Sequence, residues 1–156
     1  MAIPIGSIPA IKKTREGVLK SVGKLYPFKR VEAETMAWSE GLKLNESDEV
    51  DVYVTSIHDN DHVKIRDVDF GEGGVSAFEA NVASRYFGGE MEIRLDSISG
   101  DLIGTLQVPY IGDWNNWKMI STKVKEVKGV HDLYFVFKGG EPHVLFNFDW
   151  WKFLSK

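Results

Sequence analysis

Residues 144–153 read VLFNFDWWKF, a stretch in which half of the residues are aromatic. With the two-residue period of a β-strand, one face carries three aromatic rings: Phe146, Phe148 and Trp150. The other face carries Leu145, Asn147, Asp149, Trp151 and Phe153. A buried amide and a buried carboxylate cost free energy unless they find partners. The stretch therefore predicts a buried strand whose Asn147 and Asp149 are satisfied either by hydrogen bonds to backbone or by a bound metal and a bound ligand.

Short segments of β-branched and aromatic residues recur upstream of this stretch. They include VDVYVTSI at 50–57, HVKIRDVDF at 62–70, VSAFEANVAS at 75–84 and HDLYFVFKG at 131–139. Turns rich in glycine, asparagine and aspartate, such as FGEGG and KGGEPH, separate them. About nine such strands without helical segments between them predict an all-β fold, a β-sandwich of the jelly-roll type.

The first 26 residues differ from the rest of the chain. Their sequence has weak helical spacing and no strand alternation, and it leads into Pro27. Glycine, lysine and proline in such a segment are typical of a joint between domains. We therefore interpret residues 1–26 as a linker or the end of a preceding domain, and residues 27–156 as one folded domain.

The composition excludes several classes of partner. The net charge is −4, and charges of both signs are spread along the chain without a basic run. Because a nucleic-acid site needs such a run for phosphate, we predict no nucleic-acid partner. No apolar stretch reaches the length of a membrane span, so we predict no membrane partner. The absence of cysteine excludes disulfides and thiol catalysis.

Motifs for catalysis are sparse. The chain has no glycine-rich phosphate loop, no nucleophile elbow and no zinc-type spacing among its histidines. The acidic pairs Glu32 with Glu34 and Asp59 with Asp61, together with Asp149, could supply the acid and the base of a glycosidase. With 23 acidic residues in the chain, such pairs also arise by chance. A small glycosidase is therefore kept as an alternative.

The segment VEAE at 31–34 favours a site for a hard cation. Glu32 and Glu34 are two residues apart, so an extended strand places both carboxylates on one face. Adjacent carboxylates repel each other unless a cation or an arginine neutralises them. Asp149 is a third carboxylate that could lie alongside. Oxygen ligands without cysteine favour calcium over zinc; the alternative is a pair of surface glutamates and a turn-capping aspartate.

Two tryptophans, Trp114 and Trp117, lie in GDWNNW at 112–117, which has the composition of a turn. A ring in a turn offers a flat apolar face that can stack on the C–H face of a sugar. The alternative is a ring folded back as a lid on the core. We assign the lid to Trp117, which leads into the segment KMISTKV, and sugar stacking to Trp114.

Several stretches together resemble the family 6 carbohydrate-binding modules. They are RVEAETMAW, VDFGEGGVSAFEANVAS, GGEMEIRLDSISGDLIGTLQVP, GDWNNW, VHDLYFVFKG and LFNFDWWKF, in that order from Arg30 to Phe153. Modules of this kind are attached to family 43 glycoside hydrolases that act on arabinoxylan, and TREGVLKSVGKLYPFKR resembles the joint between the two domains. The resemblance implies a secreted parent enzyme, located outside the cell, at the cell surface or in the periplasm, whose catalytic domain lies in the same chain.

The resemblance also implies site residues. It implies a structural calcium bound by Glu32, Glu34 and Asp149. In a cleft among the loops at one end of the sandwich, it implies that Trp114 stacks on a sugar and Asn147 binds hydroxyls.

The chain departs from the family motif YIDNGDW, to which residues 56–62 correspond. Ser56 stands at the position of the second stacking ring, so Tyr53 or His58 could replace that ring. His62 stands at the tryptophan position, which weakens a second site on the concave face.

Three functions follow as hypotheses. The first is a non-catalytic module that holds a glycoside hydrolase near xylan, arabinoxylan or a related plant cell-wall polysaccharide. The second is a structural accessory domain that packs on its catalytic domain with little or no sugar binding. The third is the small glycosidase with paired carboxylates.

Overall fold

The computed structural model describes residues 23–140 and 143–156, which form eleven β-strands and no helix. The strands are β1 (Val31–Glu32), β2 (Trp38–Glu40), β3 (Lys43–Ser47), β4 (Asp51–Thr55), β5 (His62–Asp69), β6 (Val75–Ser84), β7 (Gly89–Leu95), β8 (Asp101–Val108), β9 (Asp113–Lys123), β10 (Val130–Lys138) and β11 (Asn147–Ser155). Within these residues no helix has the length and apolar character that crossing a membrane requires.

The strands form two antiparallel sheets that face each other. One sheet has the order β3-β4-β11-β6-β9, with β1 also paired to β11. The other has the order β2-β5-β10-β7-β8. Neighbours along the chain, such as β4 and β5 or β6 and β7, lie in different sheets. The predicted β-sandwich jelly roll is therefore confirmed.

Aromatic side chains fill the space between the sheets. Rings from β6, β10 and β11 meet edge to face; Phe78 and Phe153, for example, have centroids 5.1 Å apart. Each fully buried ring of this kind contributes about 1.5–3 kcal/mol of transfer free energy. The fully buried aromatic residues are Phe70, Phe78, Phe135, Phe137, Phe146, Phe148, Trp151 and Phe153.

The closing strand β11 contains a bulge that the two-residue period did not predict. Phe148 is opposite Val82 of β6, whereas Trp150 is opposite Asn81, so one extra residue, Asp149, is inserted between them. A bulge reverses the alternation of faces beyond it. As a result Trp151 lies in the core with Phe148, and the prediction that Trp150 shares the face of Phe148 is wrong.

Two other segments also differ from the sequence-based prediction. GDWNNW has the composition of a turn, yet its residues from Asp113 onward open β9. The segment VEAE at 31–34, predicted as an extended strand, is a strand only at Val31–Glu32, because a turn at 33–37 carries the chain from one sheet to the other, where β2 begins.

Four loops lie together at one end of the sandwich. They contain residues 56–61, 85–88, 109–112 and, on the two sides of the gap in the described residues, 139–140 and 143–146. The strand ends that flank them are paired in register, such as Ala83 with Asn147 and Gly89 with Val108. The ends of β5 and β11 that hold Asp69 and Ser155 lie at the opposite end.

The chain before β1 contacts the sandwich at this opposite end. The amide of Leu25 donates a hydrogen bond to the carbonyl of Asp67 at 2.8 Å, and the amide of Asp69 donates to the carbonyl of Leu25 at 2.9 Å. The side chain of Leu25 packs against the core. Residues 1–22 of the predicted linker lie outside the described residues, so the boundary after residue 26 stays a prediction.

Shortening the chain tests this boundary. A chain that begins at Gly23 should have nearly the same free energy of unfolding as the full chain, because it keeps the pairing of Leu25 with β5. A chain that begins at Tyr26 should lose about 1–3 kcal/mol, since it lacks two backbone hydrogen bonds and a partly buried leucine. Urea unfolding of both chains gives the difference; a large loss in the first chain would extend the domain into residues 1–22.

Candidate functional site

Trp114 and Asn147 are neighbours at the loop end of the sandwich. The side-chain amide of Asn147 donates a hydrogen bond to the carbonyl of Trp114 at 3.2 Å, and the hydroxyl of Thr55 donates to the amide oxygen of Asn147 at 2.7 Å. Asn147 is only 2% exposed. The buried amide therefore has two partners within the protein, one from backbone and one from a side chain, and it ties the start of β9 to β4 and β11.

Tyr86 completes an aromatic corner with Trp114. The two rings are nearly perpendicular, at 87°, with centroids 5.6 Å apart. Tyr86 lies in the loop between β6 and β7 and is 46% exposed, and Trp114 is half-buried. The sequence analysis missed Tyr86; its signal was the pair of aromatic residues in SRYFGG, just after a strand and before two glycines.

This corner has the chemistry to hold a sugar ring. Two aromatic surfaces at a right angle can contact a pyranose from below and from the side. The amide of Asn147 keeps one N–H and one acceptor lone pair beyond its two internal bonds. Its contribution to ligand binding is therefore smaller than the sequence analysis expected, and its main effect is to position Trp114.

Ser56 and His58 lie in the loop that follows Thr55, at the same end. Nδ1 of the His58 ring is 2.9 Å from the carbonyl oxygen of Ser56, and the backbone amide of His58 donates to the Asp61 carboxylate at 2.8 Å. Ser56 has a left-handed backbone with φ of 57°. These contacts bring both predicted residues to the loop end and hold the His58 ring against its own loop.

Tyr53 is placed differently from the expectation that it could stack on a sugar. It is 7% exposed, and its ring lies edge to face against Trp117 with centroids 5.2 Å apart. Its neighbour Val54 faces the core, so Tyr53 lies on the outer face of its sheet. Trp117 thus covers Tyr53 rather than the core, and neither face of the Tyr53 ring is open to a ligand.

The acidic pairs that could serve a glycosidase have structural partners. Asp59 accepts a hydrogen bond from the backbone amide of Gly139 at 3.0 Å, and Asp61 accepts the bond from His58. Glu32 makes a two-point contact with Arg30, whose Nε lies 2.7 Å from one carboxylate oxygen. Asp59 and Asp61 therefore hold loops in place, and Glu32 neutralises the guanidinium of Arg30.

The predicted metal residues form a cluster of negative charge beside β1 and β11. Glu32 is opposite Trp150 in the strand pairing, which brings Glu34 and Asp149 close behind it. Asp149 is 1% exposed; Asn81 donates to one of its oxygens at 3.0 Å. The other Asp149 oxygen and one oxygen of Glu34 are buried without a hydrogen-bond partner.

The electrostatics of this cluster favour a cation. Burial, together with the charges of Glu32 and Asp149, raises the pKa of Glu34 to about 7. Burial also raises the pKa of Asp149, and the Glu32 charge adds to that rise. Among the described residues, however, no three acidic or histidine side chains converge closely enough to hold a metal ion as they stand. To bind an ion, the Glu32 carboxylate would have to release its contact with Arg30.

The raised pKa of Glu34 predicts an unusual pH dependence for the metal-free protein. Between the ordinary glutamate pKa of 4.5 and the folded value of about 7, the folded state binds more protons than the unfolded state. The free energy of unfolding should therefore fall as the pH rises from 5 to 7, because ionisation of Glu34 is disfavoured only in the folded protein. Urea unfolding in EDTA at several pH values measures this; stability that rises over that interval would contradict it.

A second aromatic surface lies on the outer face of the other sheet. Trp38, 59% exposed, lies beside Lys64 of β5, and the Lys64 ammonium lies 5.6 Å from the centroid of the Tyr134 ring. His62 and Arg66 line the same hollow, which has a volume of about 490 Å³. The sequence analysis expected weak binding on this face because His62 stands where the family motif has tryptophan. Trp38 places an exposed aromatic ring on the same face.

Comparisons with known proteins agree with this architecture. Residues 32–155 match the family described as carbohydrate binding module (family 6). An arabinoxylan arabinofuranohydrolase of Bacillus subtilis is 43% identical over 97% of this chain, which spans only 30% of that relative's length.

Solved structures show the same likeness. A family 6 module from Clostridium cellulolyticum, in complex with xylose, superimposes with a TM-score of 0.80 at 39% identity, over 84% of this chain and 100% of the other. A family 43 arabinoxylan arabinofuranohydrolase from Bacillus subtilis, in complex with cellotetraose, gives a TM-score of 0.82 at 43% identity, over 86% of this chain and 28% of the other.

Proposed function

The chain belongs to the family 6 carbohydrate-binding modules, and on that premise we propose that it binds xylan or arabinoxylan at the corner formed by Trp114 and Tyr86. The module is non-catalytic. Its effect on hydrolysis is to keep a catalytic domain near its substrate, since tethering raises the effective concentration without new chemistry.

The perpendicular pair of Trp114 and Tyr86 carries this proposal. Tyr86 supplies the second ring that is missing at Ser56, and it comes from a different loop. The hydrogen bonds of Asn147 fix the backbone of Trp114, so its ring is held before the ligand arrives. A site that is ordered in advance loses less entropy on binding.

The relatives support the choice of polysaccharide and of parent enzyme. Two curated relatives that cover 97% and 95% of this chain are arabinoxylan arabinofuranohydrolases, and the xylose complex is that of a similar isolated module. We assign this chain to a glycoside hydrolase of the same kind, attached through the segment before Leu25. Because polysaccharides are too large to enter a cell, such an enzyme acts outside it or at its surface.

We also propose a structural calcium ion at Glu32, Glu34 and Asp149. The two buried carboxylate oxygens without partners and the raised pKa of Glu34 support it. A calcium ion would neutralise the three carboxylates in place of Arg30. Arg30 would keep its contact with Trp150, because its guanidinium carbon lies 5.5 Å from the centroid of that ring. In this position calcium stabilises the fold without touching the sugar.

Affinity electrophoresis with a panel of polysaccharides tests the proposed function. Arabinoxylan or xylan in the gel should retard the chain, while cellulose derivatives and β-glucan should retard it less. Equal mobility in all gels would contradict carbohydrate binding by this chain and favour the structural accessory role. Retardation by β-glucan alone would keep the site but change its ligand.

A further inference from the structure

A groove beside Phe87 lies at the same end of the sandwich as Trp114. It has a volume of about 440 Å³ and is formed where β7, β8 and β10 end. Its floor and sides are lined by Glu90, Gln107, Pro109 and Lys138 together with four glycines, Gly88, Gly89, Gly139 and Gly140. None of the residues of the Trp114 corner lines it.

Phe87 stands at the edge of this groove with its ring in water. It is 84% exposed, the most exposed of the large apolar side chains in the described residues. An exposed phenylalanine forgoes about 1.5–3 kcal/mol of burial energy, so nothing in the stability of the fold accounts for its position. An exposed ring at the edge of a polar hollow is typical of a binding surface.

Close backbone packing holds this ring in place and keeps the groove open. Gly88 has a φ of 76°, and a Cβ atom there would overlap the carbonyl oxygen of Val108. A Cβ atom on Gly139 would overlap the buried side chain of Leu145. The loop that carries Phe87 is thus pressed against β8, and the four glycines add no side chains to the groove.

The polar groups of the groove suit a neutral ligand rich in hydroxyls. The Gln107 amide donates to the Glu90 carboxylate at 2.8 Å, and the Lys138 ammonium donates to the Asn60 amide oxygen at 2.5 Å. Glu90 and Lys138 are direct neighbours across β7 and β10, so their charges cancel locally. Carboxylate, amide and ammonium groups side by side offer both acceptors and donors to hydroxyls.

A continuous row of rings connects the groove to the Trp114 corner. The ring of Tyr86 lies 5.6 Å from Trp114 and 5.4 Å from His143, and His143 lies 5.8 Å from Phe87, measured between centroids. These steps are comparable to the length of one sugar residue. A chain that stacks on Trp114 can therefore continue over Tyr86 and His143 to Phe87.

We infer that Phe87 and its groove form an additional sugar subsite, so that the module binds a run of several residues of a neutral polysaccharide rather than a single sugar. This inference rests on the proposed function, because the run begins at the Trp114 corner. It makes Phe87 the residue that discriminates long oligosaccharides from short ones.

Calorimetric titration with xylobiose and xylohexaose tests the inference. Phe87→Ala should weaken xylohexaose binding about three- to tenfold, the value of one stacking contact, and leave xylobiose binding unchanged. Gln107→Ala, on the groove side, should weaken only the longer ligand and to a smaller extent. Tyr26→Ala is the matched control: Tyr26 is 60% exposed at the opposite end of the sandwich, and its replacement should alter neither affinity.

The outcomes separate this inference from the proposed function. If Phe87→Ala binds xylohexaose as tightly as the unaltered chain while Trp114→Ala loses both ligands, the subsite is wrong and the proposed function stands. If Phe87→Ala weakens both ligands equally, Phe87 belongs to the first site and the separate subsite is overturned. If the unaltered chain binds neither ligand in the titration nor any polysaccharide in the gel panel, both the subsite and the proposed function are wrong.

Discussion

Replacing Trp114 by alanine should reduce the affinity for arabinoxylan at least tenfold and abolish retardation in an arabinoxylan gel. Truncating a central aromatic residue removes the stacking surface and costs about 2 kcal/mol or more of binding free energy. A loss of about 1.4 kcal/mol already corresponds to a tenfold lower affinity. Tyr86 also loses its perpendicular partner, so its ring is held less firmly, by the contact with His143. The fold should change little, because Trp114 is half-buried at the outer end of β9 and makes no part of the core.

Trp38→Ala is the matched control for this prediction. Trp38 is the same residue type, is 59% exposed, and lies on the other sheet. It should bind arabinoxylan as the unaltered chain does. If Trp114→Ala still bound arabinoxylan and Trp38→Ala did not, the main site would lie in the hollow beside Lys64 and Tyr134. Thermal melting of both variants shows whether any loss of binding comes from unfolding.

Removing calcium should lower the melting temperature by about 10 °C. A ligand that binds only the native state adds about 2.7 kcal/mol of stability at a hundredfold excess over its dissociation constant, and this converts to a shift of that size in a domain of this length. EDTA should produce the decrease and added calcium should reverse it. Magnesium should not, since it gives up its water reluctantly and requires a strict octahedral geometry.

Glu34→Gln separates a calcium site from a general effect of charge. In EDTA near neutral pH this variant should be more stable than the unaltered chain, because an amide removes the ionisation that burial disfavours. It should also lose the response to calcium. Glu126→Gln, at an exposed carboxylate that pairs with lysines, should keep that response. A melting temperature that is insensitive to both EDTA and calcium would contradict the calcium proposal.

The fold class could be predicted from the sequence, but the register of its closing strand could not. Alternation of apolar and polar residues in segments such as VSAFEANVAS is a local property and needs no knowledge of partners. The bulge at Asp149 is different, because it depends on which residue of β6 is opposite each residue of β11. Nothing in FNFDWW distinguishes Trp150, which lies against Arg30, from Trp151, which lies in the core.

The candidate site was predicted in part for a similar reason. The resemblance implied that Trp114 and Asn147 share one sugar-binding cleft, and the structure brings them together through the backbone carbonyl of Trp114. Tyr86 was missed because only the folded arrangement of two loops brings it beside Trp114. Tyr53 was expected to be able to stack on a sugar, but its ring is covered by Trp117. The sequence could not show this, because Trp117 lies on β9, which is not a neighbour of β4 in the sheet.

The acidic cluster shows the same limit. The spacing of Glu32 and Glu34 in an extended segment predicts carboxylates on one face, and the pairing of β1 with β11 brings Asp149 to them. The same spacing allows Arg30 to contact Glu32, but it does not determine whether Glu32 takes an arginine or a bound cation as its partner. That contact partly neutralises the cluster in the absence of an ion.

Mapping of NMR chemical shifts during a titration with xylohexaose tests the central claim most directly, because it locates the ligand on the protein without any substitution. The largest changes should fall on the indole N–H of Trp114, the side-chain amide of Asn147 and the backbone amides around Phe87. The indole N–H of Trp38 and the amide of Lys64 should not move. Largest changes at Trp38 and Lys64, with Trp114 unaffected, would contradict a carbohydrate site at the loop end of the sandwich.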